Sequence, residues 1–301
     1  MTSAGSPAVT IAARPTRGGR RLPLSWLGVV PFLAYVALFL LLPTAIIAAG
    51  SFTTLDGNLT SSNLSSINQA FIGKAFVGSL VISAISAGVG ALVGAILAYA
   101  VVTGNPNGIL RRSVTSAAGV LAQFGGVTLA FAFIATLGTN GFVTVFLKAR
   151  GIDIFPNGGV WLYDLSGLTL IYLYFQIPLM VLVFLPALDG IRPQWREATE
   201  SMGGDTWHYW RYVAGPLLAP AFLGCTLLLF ANAFSAYATA AALISQGGVI
   251  VPLEIQQLLI GETGRTQPGF AKALALAMIL IVAIVMVLYS LFQRRTSRWL
   301  R

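Results

Sequence analysis

Long apolar stretches alternate with short polar ones along almost the whole chain. A helix needs about 20 apolar residues to cross the hydrocarbon core of a bilayer. Six stretches reach that length and are numbered spans 1 to 6; they cover roughly residues 25–50, 75–102, 114–137, 167–188, 217–243 and 271–292. The pattern therefore predicts an all-α integral membrane protein with six transmembrane helices.

Composition supports this interpretation, because only 9% of the residues are charged, whereas soluble domains carry about 25%. Residues 1–22 are polar and small and include four Arg, which predicts a disordered tail before a six-span domain over 23–301. The first apolar stretch is longer than the apolar region of a signal peptide, so we expect it to remain as an uncleaved span.

The basic residues are distributed unequally between the two sides of the predicted membrane domain. Six spans place both termini on one side, together with the loops after spans 2 and 4. Thirteen of the 18 Lys and Arg lie on that side, and the other side carries Lys74, Lys148, Arg150, Arg265 and Lys272. Positive charge marks the cytoplasmic side, so we expect both termini of this multi-pass membrane protein to be cytoplasmic. The excess then contacts lipid headgroups and does not indicate nucleic-acid binding.

Small residues recur at four-residue spacing along span 2. One stripe contains Ser79, Ser83, Ala87 and Ala91, and a second contains Ser86, Gly90 and Gly94. Such stripes let helix backbones approach closely. The partner is either another helix of this chain or a second membrane subunit.

Residues 189–216, between spans 4 and 5, form a polar loop that is longer than a simple reversal needs. Pro193 suits the first position of a helix, and Gly203 with Gly204 suits its end. Asp205 or Thr206 can cap a second helix that runs to Val213, and Pro216 then leads into span 5. We predict a rigid helix–glycine turn–helix projection, called the 189–216 loop below.

The 189–216 loop presents charged and aromatic side chains together. Glu197 and Glu200 share one face of the first helix, and Ala198 shares another with Met202. The second helix presents Trp207, Trp210 and Arg211. Aromatic residues and Arg are typical of protein docking surfaces, and the alternative is an interfacial helix with its Trp residues at the lipid headgroups. The only His, His208, is assigned a packing or interface role.

These residues resemble the EAA loop of binding-protein-dependent ABC importer permeases. The matching positions are Glu197, Ala198, Thr199, Gly203, Trp207, Trp210 and Pro216. The departures are Thr199 for the usual Ala, Gly204 for the usual Ala, and Gly215 for the usual Leu. The preceding stretches 176–180 and 185–188 resemble the spermidine/putrescine-like branch, which also includes ferric-iron and some anion permeases.

The resemblance implies a type I ABC importer permease fold in which this loop is a coupling helix held in a groove of a cytoplasmic ATPase. Glu197 would meet basic or polar groups of the ATPase, Ala198 would allow close approach, and Gly203 would permit the turn. The implied setting is the prokaryotic cytoplasmic membrane. The implied partners are an ABC ATPase dimer, a second permease subunit of different sequence and an extracytoplasmic solute-binding protein. A polyamine is the first candidate substrate; ferric iron, phosphonate, sulfate-like anions and thiamine stay open.

No sequence motif for catalysis or cofactor binding is present. The phosphate-binding pattern G-x-x-x-x-G-K-[ST] does not occur, so we expect ATP and Mg to be bound by the partner ATPase. One His and one Cys are too few for a conventional zinc cluster. We therefore predict a transport subunit with no catalytic residues, no metal site and no cofactor of its own.

Neutral polar residues inside the spans are the candidates for a solute pathway. They are Gln176, Asn232, Ser235 and Tyr237, and for each the alternative is a hydrogen bond between helices. Buried carboxylates, which usually mark ion pathways, are essentially missing from the middle of the predicted spans. This disfavours the alternative function, a self-sufficient secondary transporter or channel.

Overall fold

The computed structural model describes residues 25–54, 57–105, 108–155, 161–244, 250–261 and 266–296. The predicted disordered tail, 1–22, lies outside the described residues. The helices before the 189–216 loop are α1 (Ser25–Val36), α2 (Leu42–Ser51), α3 (Ser62–Ser65), α4 (Ala70–Thr103), α5 (Ile109–Gln123), α6 (Gly126–Leu137), α7 (Phe142–Lys148) and α8 (Leu165–Asp189). Those that follow are α9 (Pro193–Ser201), α10 (Thr206–Tyr209), α11 (Gly215–Phe234), α12 (Ala238–Leu243), α13 (Val251–Ile260) and α14 (Pro268–Thr296).

The predicted all-α class is confirmed for the described part of the chain, where the only strand-like pairing is an isolated bridge between Thr53 and Leu59. Six described stretches are long and apolar enough to cross a membrane. They are Gly28–Ser51, Ala70–Thr103, Gly126–Lys148, Leu165–Asp189, Thr206–Phe234 and Pro268–Leu291. The number of spans agrees with the sequence prediction, whereas the bounds of spans 3 and 5 differ.

The chain divides into two units after Ile46. The described part of the first unit contains α1, a π-helical turn over Ala37–Leu41 and the start of α2. Its large apolar side chains are exposed, and the rings of Tyr35 and Phe39 lie 4.9 Å apart. The second unit contains the rest of the chain and all the residues of the candidate sites.

Both π-helical turns of the described chain precede a proline. The turn over Ala37–Leu41 is followed by Leu42 and Pro43, and the turn over Trp210–Ala214 is followed by Gly215 and Pro216. Proline has no N–H to donate, and its ring clashes with the carbonyl four residues earlier. Each wider turn instead closes with a bond five residues back, Leu42 to Ala37 and Gly215 to Trp210. The helices therefore continue past both prolines.

Helix α8 lies at the centre of the second unit and packs against α4, α5 and α11. Both small-residue stripes of α4 are buried. A Cβ atom added at Gly94 would lie 2.5 Å from the Cβ of Met180, and one at Gly90 would lie 2.9 Å from the Cβ of Gln176. The stripes therefore serve packing within the chain, which is one of the two alternatives that the sequence leaves open.

The buried apolar residues form three clusters. One joins α4 to the first half of α8, the end of α11, and α6 and α12. A second joins α4, α8 and α11 on the side of the 189–216 loop, with Ala118 of α5. The third packs the start of α4 against α13 and α14, around Ile72 and Leu274.

Two predicted spans are broken, and this corrects the sequence analysis. Span 3 was predicted as continuous over 114–137, but α5 ends at Gln123 and α6 begins at Gly126, whose φ is +71°. A left-handed residue interrupts a right-handed helix, and glycine adopts that conformation readily. Span 5 was predicted over 217–243, but α11 ends at Phe234 and α12 begins at Ala238. At that break the hydroxyl of Ser235 donates to the carbonyl of Ala231 at 2.9 Å, a local bond that competes with regular helix.

Candidate functional site

The first helix of the 189–216 loop ends in a glycine turn. Gly203 has a φ of +80°, and its N–H donates to the carbonyl of Glu200 at 3.0 Å. The N–H of Gly204 donates to the carbonyl of Thr199 at 2.9 Å. These two bonds form a Schellman motif, in which the left-handed residue satisfies carbonyls that the helix end leaves free. The turn therefore has the predicted position and a defined geometry.

The second helix of the loop begins at an Asp cap and does not stop before span 5. The carboxylate of Asp205 accepts a bond from the N–H of His208 at 2.9 Å, and its pKa is lowered, mainly by that bond. Helix α10, the π-helical turn and α11 then form one helical stretch of 29 residues, Thr206–Phe234. Pro216 therefore lies inside this stretch, whereas the sequence suggested that it begins a separate span.

Most of the residues predicted to contact an ATPase lie on the exposed surface of the loop. Glu197 and Ala198 are exposed, and Met202 and Trp207 are 82% and 67% exposed. Thr199 is buried, and its hydroxyl donates to the carbonyl of Trp195 at 2.9 Å. Gly203 and Pro216 are exposed at the turn and in the continuing helix.

Trp210 has a different environment from Trp207. It is half-buried, and its ring packs edge to face on Tyr99 of α4, with 5.2 Å between the ring centroids. Tyr209 next to it is buried. Trp210 therefore attaches the loop to the helix bundle, while Trp207 remains available to a partner.

Ion pairs restrain the loop near its start. Arg111 of α5 pairs with Asp189, the last residue of α8, at 2.5 Å. Arg196 pairs with Glu200 one turn later on α9, at 3.0 Å. The first pair connects two elements far apart in sequence, so it fixes the point at which the loop leaves α8.

Gln176, one of the four pathway candidates, lies in the interior of the second unit. Its side chain is fully buried, and its Nε2 donates to the carbonyl of Leu229 at 3.0 Å. The hydroxyl of Ser86 lies 3.5 Å from the same nitrogen, while Oε1 has no hydrogen-bond partner among the described residues. Gln176 therefore makes the helix–helix contact that was the alternative to a pathway role.

The other three pathway candidates lie together at the break between α11 and α12. Asn232, Ser235 and Tyr237 are all exposed. Ser235 and Tyr237 line a groove of about 420 Å³ together with Gln256 and with apolar residues of α13 and α14. Tyr172 of α8 donates its hydroxyl to the carbonyl of Ala236 at 2.7 Å, so it holds the backbone of the break in place.

The structure adds features that the sequence did not indicate. The two helix breaks lie beside each other, because a Cβ at Gly126 would lie 3.7 Å from the Cβ of Ala238. Glu254 is a buried residue of the short helix α13. Burial raises the pKa of its carboxyl group. The diglycine at 125–126 was the available signal for the first break, whereas a single acid in an apolar helix gives no sequence sign of burial.

Comparison with known proteins agrees with the resemblance stated from sequence. No protein-family model matches the chain. It is 26% identical over 121 residues to the thiamine transport system permease protein ThiP of Escherichia coli (strain K12), a match that covers 39% of this chain and 21% of ThiP. It is 26% identical over 167 residues to the sulfate transport system permease protein CysT of the same organism, which covers 55% of each chain. The matched part of the chain thus spans about half the length of CysT, 55%, and a smaller part of ThiP, 21%.

Solved structures show the same fold over more of the chain. The structure of a bacterial ABC transporter involved in the import of the acidic polysaccharide alginate matches 90% of this chain and 95% of its own, with a TM-score of 0.72 and 17% identity. The MetNI methionine ABC transporter in inward-facing conformations matches 79% of this chain and 99% of its own, with a TM-score of 0.56 and 13% identity.

The fold and the relatives together define the class of this protein. It has six apolar stretches long enough to span a membrane and the fold of ABC importer permeases, and its sequence relatives are permease proteins of transport systems. The predicted resemblance to ABC importer permeases is therefore confirmed. The narrower resemblance to the spermidine/putrescine-like branch stays a prediction.

Proposed function

We propose that this chain is a transmembrane permease subunit of an ATP-driven ABC importer and forms half of its translocation pathway. The 189–216 loop couples it to a separate ATPase, which binds ATP and Mg. The other partners are a second, similar permease subunit of different sequence and an extracytoplasmic solute-binding protein. The fold and the permease relatives support this assignment.

One observation carries the coupling role. The second helix of the loop is continuous with span 5, so a displacement applied at Trp207 moves a single helical stretch that ends at Phe234. The break that follows carries Ser235 and Tyr237, two of the pathway candidates. A mechanical lever between the ATPase and the solute pathway requires two features. It needs an exposed docking surface at one end and a polar, irregular segment at the other.

The exposed part of the loop supplies the surface for the ATPase. Glu197, Ala198, Met202 and Trp207 form it: one carboxylate, one small residue that permits close approach, and two large apolar side chains. Exposed aromatic residues next to charged side chains are typical of binding hot spots. Thr199 and Trp210 act behind this surface, because one is buried and the other packs on Tyr99.

The pathway is assigned to the neutral face at the helix breaks. Irregular backbone at membrane depth is tolerated where it is buried in protein or lines a water-filled cavity. The exposed side chains of Asn232, Ser235 and Tyr237 can offer hydrogen bonds to a passing solute. A polyamine is the proposed substrate on the branch resemblance; ferric iron, phosphonate or another small solute is the alternative.

Solute uptake by the full chain together with its ATPase, second permease and binding protein tests the coupling role. Glu197→Lys is expected to abolish solute-stimulated ATP hydrolysis while the subunit stays in the membrane, because it reverses the charge of the docking surface. Ser113→Lys is the control, since it also introduces a lysine at an exposed position but lies on α5, outside the proposed surface. Wild-type coupling in Glu197→Lys would contradict the proposal.

The glycine turn provides a second pair of variants. Gly203→Val is expected to lower coupling, because a β-branched residue resists the φ of +80°. Gly203→Asn should be tolerated, since Asn adopts left-handed conformations far more readily.

The competing function is a self-sufficient secondary transporter or channel, and it would be supported by solute flux into liposomes that contain this chain alone.

A further inference from the structure

Two buried side chains of α8 join it to the end of α11 and to the break that follows. The hydroxyl of Tyr172 donates to the carbonyl of Ala236 at 2.7 Å, and the Nε2 of Gln176 donates to the carbonyl of Leu229 at 3.0 Å. The two donors are one turn apart on α8, and their acceptors lie before and after Phe234, where α11 ends. We call these two hydrogen bonds the α8 anchor.

The acceptor of the Tyr172 bond lies between two of the pathway candidates. Ala236 separates Ser235 from Tyr237, and both of these side chains are exposed. In the described part of the chain, the bond from Tyr172 is the only hydrogen bond that residues 235–237 receive from outside α11 and α12. Because helix ends leave carbonyls without partners in the helix, this bond determines where the backbone of the break lies.

The stability of this fold does not account for Gln176. Its side chain is fully buried, and its Oε1 has no hydrogen-bond partner among the described residues. A buried acceptor without a partner costs at least as much free energy as an ordinary hydrogen bond contributes. The bond to Leu229 is therefore offset, and an unbranched apolar side chain would pack equally well here. Such a side chain would not supply the directed bond that fixes Leu229 relative to α8.

We propose that Tyr172 and Gln176 are positioning residues that form the pivot for the helical stretch Thr206–Phe234, an inference that rests on the proposed function. A displacement applied at the 189–216 loop reaches the break only if the far end of this stretch stays helical, and free helix ends fray. Helix α8 is the support, because it lies at the centre of the second unit and packs against α4 and α5. The stretch then tilts about the α8 anchor and reorients the pathway residues at the break.

Hydrogen exchange in the purified full-length chain tests the α8 anchor by itself. Tyr172→Phe removes only the hydroxyl, and the amides of Ser235 and Ala236 should exchange about fivefold faster, the factor that corresponds to about 1 kcal/mol for one hydrogen bond. Gln176→Met keeps an unbranched side chain that fills irregular spaces. It should speed exchange in the last turn of α11 by a similar factor. Its thermal unfolding midpoint should stay at or above the wild-type value, since the unpaired Oε1 is removed as well.

Tyr289→Phe is the matched control for the loss of a hydroxyl. Tyr289 of α14 donates to the carbonyl of Pro220 at 2.7 Å, so this substitution removes the same kind of bond from α11, closer to the 189–216 loop. Exchange at residues 235 and 236 should then remain at the wild-type rate. Wild-type exchange in Tyr172→Phe, or equal acceleration in Tyr289→Phe, would overturn the α8 anchor.

Thiol labelling in the full complex, with the ATPase, the second permease and the binding protein in nanodiscs, tests the pivot. In a Cys225→Ser background, Ser235→Cys places the only thiol of this chain at the break. Its rate of reaction with a maleimide is measured before and after ATP and vanadate are added. Tyr172→Phe and Gln176→Met should each reduce the ATP-dependent change by about fivefold, while ATP hydrolysis stays near the wild-type rate. A fold that was merely weakened would lose hydrolysis as well.

The two experiments separate failure of the pivot from failure of the proposed function. An undiminished labelling change in both variants, or a parallel loss of hydrolysis, would overturn the positioning role. A wild-type complex whose labelling does not respond to ATP and vanadate would contradict the proposed function itself, because the ATPase and the break would then not be coupled.

Discussion

Two departures from the EAA-loop pattern compensate each other at the glycine turn. Thr199 stands where the pattern has Ala and adds a methyl group and a hydroxyl; Gly204 also stands where the pattern has Ala and removes a methyl group. A Cβ at Gly204 would lie 2.8 Å from Cγ2 of Thr199. The larger residue therefore occupies the space that the smaller one leaves.

This contact predicts coupling between the two positions. Gly204→Ala alone should weaken the turn by about 1–3 kcal/mol, the usual cost of overpacking. In a Thr199→Ala background the same change should be largely tolerated, because the closest remaining neighbour is the Thr199 carbonyl at 3.1 Å. Hydrogen exchange at the amide of residue 204, whose bond closes the turn, measures the effect. Additive effects of the two substitutions would show that the contact is not the cause.

At the scale of elements, the packing of α4 on α8 determines how closely the central helices approach. Gly90 and Gly94 lie directly against α8, whereas Gly88 of the same helix has open space around it. The position of a glycine on the helix therefore decides whether a side chain is tolerated there, and the type of residue alone does not.

The contrast between Gly94 and Gly88 gives a test within one helix. Gly94→Ala should destabilise the chain by roughly 1–3 kcal/mol, because the new Cβ would overlap Met180 and the carbonyl of Ile177. Gly88→Ala should be neutral or slightly stabilising, since Ala favours helix over Gly by about 1 kcal/mol. Thermal unfolding in detergent compares the two variants. Similar losses in both would show that α4 and α8 pack differently from this structure.

The elements differ in how well the sequence predicts them. Apolar length predicted six spans, and Pro193 and Gly203 predicted the first helix of the loop, because each signal is local. The break in span 5 was not predicted, and one of the contacts made there is not local: the hydroxyl of Tyr172, 64 residues away in sequence, donates to the carbonyl of Ala236. The environments of Gln176 and Trp210 were also hidden, because residue type does not reveal which partner a side chain meets.

At the scale of the whole molecule, the charge asymmetry carries the prediction of orientation. The side with the 189–216 loop has thirteen of the 18 basic residues, and after its four acids are subtracted it holds the whole formal net charge of +9. Lys and Arg are retained on the cytoplasmic side during insertion. An ATPase can reach the loop only from that side, so the orientation is a necessary condition for the proposed function.

Accessibility of single cysteines tests the orientation directly. Cys225 is the only cysteine, so Cys225→Ser gives a background in which Ser201→Cys reports on the loop and Ser61→Cys reports on the opposite side; both positions are exposed. In intact cells a membrane-impermeant maleimide should label Ser61→Cys and spare Ser201→Cys, and after lysis it should label both. Labelling of Ser201→Cys alone in intact cells would place the loop outside the cell, where no ATP-driven subunit could act on it.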